Sequence, residues 1–389
     1  MTQNFYPVFA FTADNHLKEY LWVSRPHIKN DTLHSFDFIC NYCKTHNLPL
    51  VLGGDVFDTP RPSTAVLSAA VNSIKKVPTV YWLEGNHDKS NPSWPQVLSQ
   101  SLDNNNIHDL SENSVFTIKS NKKEAKPVAI YGIPHSNNHI ELADRFASLT
   151  SLVRETNAAT PDIYISHQLI SLLTGDMIAN VSVSNYADTP PSSIILMGDY
   201  HQAIEAYDQS GRLYAYCGSS ALLSTSEPIS KSFILFGYQN NKPTIQRIPI
   251  PTRRCVRMTL DKLQHVEQLE SELQQALSSQ PDNLHQDLKN PLAIVRYSSD
   301  DSQLTKELSK VLDKFKNQVN FFTSAETSAK KHLESALSAT KEAPIDTVVS
   351  NLLASPQNSK LCTTALKLVK CSLAEVDAVL EDHQKSLGI

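Results

Sequence analysis

Glycine is scarce in this sequence, ten residues in 389, and cysteine is scarcer still, six. Six cysteines cannot brace a chain of this length as a disulfide framework, which points to a reducing compartment. No apolar run reaches the ~18 residues that a membrane helix needs, so no membrane association is expected. The start, "MTQNFYPVFAFTADNH", has no basic segment leading into an apolar one with a small-residue cleavage site; no secretion signal is read, and the expected compartment is the cytoplasm. Positive charge is not in excess either. The formal net charge is −5, so any nucleic acid would have to be held by local groups and not by a global field. No Gly-x-x-x-x-Gly-Lys-Ser/Thr loop occurs, and ATP hydrolysis by this chain is not expected.

What is present is a globular composition, 40% hydrophobic and 19% charged, with length enough for roughly two or three domains. Short β-rich runs recur up to about residue 248: "YPVFAFTA", "LPLVLGG", "TVYWLEG", "VAIYGIP", "DIYIS", "IILMG", "LYAYCG" and "SFILFGY". Helical spacing fills several gaps between them, at Asp31 to His46, Ser63 to Lys76 and His139 to Arg154. That alternation predicts a layered α/β domain over residues 1–250. Cys40 and Cys43 form a Cys-x-x-Cys, but with no second pair at zinc spacing they are read as core residues of a helix. Prolines and charged helical segments take over near Pro251. A small α/β domain is expected over 251–327, with helices at Leu260 to Leu277 and Gln303 to Phe315 and strands in "PLAIVRYS" and "QVNFFTS". Residues 328–389 carry apolar positions at i, i+3, i+4 and read as helical throughout.

The scarce glycines are placed unevenly: Gly53, Gly54, Gly85, Gly198 and Gly218 each stand where a β-rich run stops, where the turn calls for tight or left-handed backbone. In open α/β sheets the carboxyl ends of strands border the ligand crevice. The side chains delivered there are Asp14 and His16, Asp55 and Asp58, Asn86 and His87, His167, and Asp199 and His201. Any one of them alone reads as a turn or helix cap. Their recurrence at five strand ends points to metal ligation. Imidazole and carboxylate suit manganese, iron or zinc, and the absence of cysteine disfavours a structural zinc site. Seven candidate ligands, Asp14, His16, Asp55, Asn86, His167, Asp199 and His201, exceed what one ion with an open position takes. Two ions about 3.5 to 4 Å apart can share a carboxylate. His108, His135 and His265 stand alone and are assigned no role.

In their order, "DNH", "GDVFD", "GNHD", "SHQ" and "GDYH", spread over residues 14 to 201, these motifs resemble the signature of the calcineurin-like metallophosphoesterases. "GGDVFDTPRPS", "EGNHD", "YGIP" and "YCGSS" resemble more narrowly the nuclease subunit of SbcCD-type DNA-processing complexes, including versions carried by bacterial viruses. The resemblance implies two mixed β-sheets in a layered sandwich flanked by helices, a small α/β capping domain and a helical partner-binding segment. It implies a first divalent ion on Asp14, His16, Asp55 and His201, and a second on Asp55, Asn86 and His167, with Asp55 bridging. Asp199 stands where the family has histidine and is expected still to coordinate, because Gly198 and His201 keep the loop register. Manganese is the expected metal, with magnesium or iron as alternatives. His87 would steady the phosphoryl oxygens or protonate the leaving group, and Asp58 would orient the His87 ring.

The same resemblance implies DNA as substrate, a separate SbcC-like coiled-coil ATPase as partner, a homodimer, and the cytoplasm of a bacterial host for a viral version. Arg25, His27, Arg61 and Lys89 follow the ligand motifs and could line the mouth of the site, although each also reads as ordinary solvated surface. Two other readings stay open: a phosphoesterase for small molecules or phosphoproteins, and a scaffold subunit in which Asp199 has impaired catalysis.

Overall fold

The computed structural model describes residues 5–102, 106–119, 126–156, 161–279 and 284–326; the helical segment expected over 328–389 lies outside the described residues. These residues fall into two compact units, one of residues 5–256, 273–292 and 317–320, the other of 257–272, 293–316 and 321–326.

The first unit is built on two six-stranded mixed sheets. Strands β1 (Phe5–Thr12), β2 (Leu50–Gly53), β3 (Val80–Leu83) and β4 (Ile107–Asp109) run parallel to one another in one sheet. The other has order β5-β6-β7-β8-β10-β9, from β5 (Phe116–Ile118), β6 (Val128–Ile133), β7 (Ile163–His167), β8 (Ile194–Gly198), β9 (Ile204–Tyr207) and β10 (Leu213–Tyr216). Its central strands β6, β7, β8 and β10 are parallel, and β5 and β9 close its edges antiparallel. The chain then returns to the first sheet as β11 (Ser232–Gln239), antiparallel to β1, and β12 (Lys242–Pro249), antiparallel to β11. The "KPTIQRIP" of β12 escaped the sequence reading because its two prolines and exposed residues look like a linker, whereas an edge strand tolerates proline.

Strand side chains alternate between two faces, and here both faces are apolar. Phe9, Phe11, Tyr81 and Leu83 of one sheet meet Ile163, Ile165, Ile194, Leu196, Leu213 and Ala215 of the other in a shared core between the sheets. The residues between them point outward. Ala10, Leu50, Leu52, Val80 and Trp82 pack against helices α1 (Asp31–His46), α2 (Thr64–Ile74) and α3 (Trp94–Ser101). Tyr131, Tyr164, Ile195, Met197, Tyr214 and Tyr216 pack with Leu142, Phe146 and Leu149 of α4 (His139–Thr156). The result is a four-layer sandwich, helices outside and sheets inside. Each large apolar side chain so enclosed contributes about 1.5 to 3 kcal/mol. Cys40 and Cys43 lie in this core on α1, and burial pushes the Cys43 thiol up to about 12, which leaves it an unreactive core group. A short helix, α5 (Ser171–Thr174), follows β7.

The second unit centres on a three-stranded sheet ordered β13 (Cys255–Leu260), β14 (Leu292–Ser298), β15 (Asn320–Glu326), with helices α6 (Leu263–Ser278) and α7 (Ser302–Phe315). Asp301 caps α7 by accepting from the backbone N–H groups of Gln303 and Leu304, and Leu304, Leu308, Val311 and Phe315 form its buried stripe. No described helix is long and apolar enough to cross a membrane.

Candidate metal centre

β1, β2 and β3 are parallel neighbours in one sheet and β7 and β8 in the other, so the loops after them emerge along the strands' carboxyl ends. These loops are tied to one another through the backbone. Asp14 N–H donates to Gly54 O at 3.0 Å, His16 N–H to Asp55 O at 2.9 Å, and Leu17 N–H to Val56 O at 2.8 Å. Two glycines allow the loops to close: a Cβ on Gly54 would stand 2.1 Å from His167 Nδ1, and one on Gly85 would stand 2.1 Å from Asp55 Oδ1. The left-handed turns expected at the glycines fall largely on the ligands themselves. Asp14 (φ 51°), His16 (φ 43°), Asp55 (φ 52°) and Asp199 (φ 87°) all adopt positive φ, a conformation that non-glycine residues hold only where surrounding bonds over-determine it.

The side chains converge in two overlapping groups. Ligand atoms of Asp14, His16 and His201 lie within 4.8 Å of one another, as do those of Asp14, Asp55 and His167. Asp55 Oδ2 sits between two imidazoles, 3.5 Å from His16 Nε2 and 3.4 Å from His167 Nε2. His167 Nε2 is also 3.1 Å from Asn86 Oδ1 and 3.9 Å from Asp199 Oδ1. Asp199 is anchored by its own N–H, which donates to Asp14 Oδ1 at 2.9 Å. His87 is exposed, its ring edge-on to His16 at 4.9 Å between centroids, and its backbone N–H donates to Asp55 Oδ1 at 2.9 Å.

Asp58 takes a different partner from the one expected. It was to orient His87, yet its Oδ1 lies 3.2 Å from His16 Nδ1 and accepts from Lys18 Nζ at 2.9 Å. The turn from Asp55 to Asp58 carries the carboxylate behind the His16 loop, which the bond from His16 to Asp55 holds alongside. Arg25 is half-buried and His27 exposed in the turn that joins Leu21 to Ile28, and Arg61 is exposed ahead of α2. Lys89 is exposed and borders a groove that begins at Gly85.

Three residues to which the sequence reading gave no role stand at the site. Glu227 Oε1 lies 2.8 Å from His201 Nδ1, and its Oε2 accepts from Lys231 Nζ at 2.7 Å. Asp88, the last residue of "GNHD", is fully buried and braces two loops, accepting from Val56 N–H at 2.7 Å and Gly85 N–H at 2.8 Å. His135, assigned no role above, is half-buried with its ring edge-on to His167 at 6.1 Å between centroids. Nothing in the spacing of Glu227 or His135 marks them, because their partners are distant in sequence. Asp88 was visible in its motif and needed only a structure to show what it holds.

The electrostatics fit cations. Burial raises the Asp14 carboxyl above its ordinary value, whereas for Asp55 burial is outweighed by the adjacent His167, which holds it down. Burial would lower His167, but Asp55, Asp14 and Asp199 outweigh it and push it up to about 10. Burial also raises Asp88, with Asp55 adding to the effect, to about 6. A buried pocket of this anionic density favours positive charge. His16 Nε2 is buried without any hydrogen-bond partner, an orphaned lone pair facing Asp55 where a metal ion would sit. Both imidazoles of that group are backed by a carboxylate at Nδ1, Asp58 for His16 and Glu227 for His201, the arrangement that fixes a metal-binding tautomer. The donor set of aspartate, histidine and asparagine fits two divalent ions.

The sequence profile of the calcineurin-like phosphoesterases matches residues 7–203, half of the chain, and the chain belongs to that family. Among solved structures it is similar to a dimetal phosphatase from Danio rerio, at 13% identity and a TM-score of 0.41 over 63% of this chain and 96% of that one. It is also similar to a 5'-nucleotidase from Candida albicans, at 11% identity and a TM-score of 0.39 over 81% of this chain and 60% of that one. Comparison with curated proteins finds no match.

Proposed function

Taking the chain as a calcineurin-like phosphoesterase, we propose that it is a metal-dependent nuclease subunit that hydrolyses phosphodiester bonds in DNA and works with a separate SbcC-like coiled-coil ATPase. The observation that carries the hydrolytic reading is the convergence of ligands from five strand ends around Asp55, with an exposed histidine, His87, beside them. The DNA and ATPase assignments are supported by the likeness of "GGDVFDTPRPS" and its companion motifs to SbcCD-type nucleases and by the lack of a phosphate-binding loop in this chain. A homodimer in a bacterial cytoplasm belongs to the same reading.

Asp14, His16, Asp55 and His201 would hold one ion, and Asp55, Asn86, His167 and Asp199 the other. Bound there, divalent ions, manganese in this proposal, supply Lewis-acid polarisation of the phosphoryl oxygens and acidify water. Asp55 positions both halves of the site at once, since one of its oxygens faces both His16 and His167. Its other oxygen holds the His87 backbone in register. His87 donates a proton to the departing 3′ oxygen as the water oxygen bonds to phosphorus and the phosphorus–oxygen ester bond breaks. Asp58 and Glu227 fix the tautomers of His16 and His201 so that Nε2 of each faces the pocket.

The test is hydrolysis of linear duplex DNA with manganese, set beside a generic phosphomonoester. DNA cleavage that drops at least about 100-fold in His87→Asn supports the reading. Turnover of the monoester alone supports a small-molecule or phosphoprotein phosphoesterase, and turnover of neither, with metal bound, supports a scaffold subunit.

A further inference from the structure

A polar groove of about 340 Å³ begins at Gly85, the residue before Asn86 and His87, and extends to His135. Its volume lies within the roughly 300 to 1,000 Å³ of small-ligand pockets. Its hydrogen-bonding groups divide into two sets. Two of its three acids are committed to the wall: Glu84 accepts from Ser90 Oγ at 2.9 Å and Trp94 N–H at 2.8 Å, and Asp109 accepts from Ser93 Oγ at 2.5 Å and Ser111 N–H at 2.8 Å, while the third, Glu112, is exposed. Lys89, Asn91, Gln96 and His135 line the same groove, and none of their side chains forms a hydrogen bond or ion pair among the described residues. The unused capacity is therefore one cation, one imidazole, two amides, the Ser111 hydroxyl and the exposed Glu112 carboxylate.

That combination suits a nucleotide better than a bare phosphate. A free phosphate would meet a single cation among three carboxylates, Glu84, Asp109 and Glu112. A nucleotide adds a base, whose edge matches the paired donor and acceptor of an amide side chain and whose face suits an imidazole ring. The edge-on contact with His167 fixes His135 at the metal-centre end of the groove. The geometry points to a subsite in this groove for the nucleotide that flanks the scissile phosphate, with Lys89 on its phosphate and Asn91, Gln96 and His135 on its base. The assignment rests on the nuclease reading for its place in the reaction, but the binding it describes is measurable without turnover.

Anisotropy of a fluorescein-labelled trideoxyadenylate reads that binding directly on the full chain. His135→Ala/Gln96→Ala is expected to bind it about 10-fold more weakly than the parent, the loss of one or two good polar contacts. Gln96 is exposed, so Gln96→Ala alone supplies a variant whose fold is not at stake, expected to weaken binding about 3-fold. Steady-state kinetics supply the second arm. The ratio of kcat/KM for an oligonucleotide to that for bis(p-nitrophenyl) phosphate is expected to fall about 10-fold in the double variant, with most of the change in KM. Equal trinucleotide binding by parent and both variants overturns the subsite even where DNA is cleaved. A parent that binds the trinucleotide through these residues and cleaves no DNA overturns the nuclease reading and leaves the subsite standing.

Discussion

The two halves of the candidate metal centre are built to different standards. In the half formed by Asp14, His16, Asp55 and His201, each imidazole has a carboxylate at its back, Asp58 at 3.2 Å and Glu227 at 2.8 Å. In the half formed by Asp55, Asn86, His167 and Asp199, the single imidazole is backed only by a peptide carbonyl, Gly53 O at 2.8 Å from Nδ1, and Asn86 is exposed. A carboxylate behind an imidazole makes it a stronger donor than a carbonyl does. Asp199 brings a carboxylate to the second half, where it faces His167 at 3.9 Å, as Asp14 does to the first. Each half carries two carboxylates, Asp14 and Asp55 in one and Asp55 and Asp199 in the other, so the difference lies in what backs the imidazoles.

The largest expected effect removes what the halves share. Asp55→Asn is expected to lower hydrolysis by more than about 1,000-fold, beyond the roughly 100-fold that loss of an outer partner costs, and to strip both ions in metal analysis. Loss of a single ion would mean that the halves are independent. His87→Asn leaves both halves intact, and is expected to cost about 100-fold or more in kcat while two ions per chain remain. Glu227→Gln acts on one half alone. Metal titration is expected to show one site weakened about 10- to 100-fold with the other unaltered, and an equal loss at both sites would erase the asymmetry.

Asp199→His replaces the second carboxylate of its half with an imidazole. With the carboxylate coordinating, the parent chain is expected to hold two ions and the variant two ions with only a few-fold change in affinity. A parent with one tight ion, rising to two in Asp199→His, would show that Asp199 does not coordinate.

The smallest effect is on stability in acid. Burial would raise the Glu227 carboxyl, but His201 and Lys231 outweigh it and hold it at about 2, below its ordinary 4.5. Such a group stabilises the fold above its unfolded-state value, and that contribution disappears as pH falls from 4.5 toward 2. Thermal melts of the metal-free protein are expected to show the parent losing more Tm over that interval than Glu227→Gln, at about 2 to 4 °C per kcal/mol. Parallel curves would place the Glu227 contact outside the acid response.

Much of this was legible without coordinates. The runs that became β1, β2, β3, β6, β7, β8, β10 and β11 are almost continuously apolar because both faces of each sheet are covered, and such runs announce themselves. β4, β5 and β9 were missed because they are short edge strands whose pairing depends on a neighbour already in place, not on their own pattern. The candidate ligands were readable because the chemistry restricts residue type and because each follows a strand end. Their braces were not: Glu227 lies 26 residues from His201, and the bond exists only because the chain turns back after β10.

The sequence alone therefore determined the layered α/β class and which polar side chains follow the strand ends, and in what order, since alternation and residue chemistry are local properties. Tertiary structure decided that Asp58 serves His16, that Glu227 backs His201, that Asp88 braces two loops and that His135 stands against His167. Each of these is a contact between segments far apart in the chain, set by which strands pair and how closely the sheets approach at Gly54 and Gly85, and no local pattern encodes such a distance.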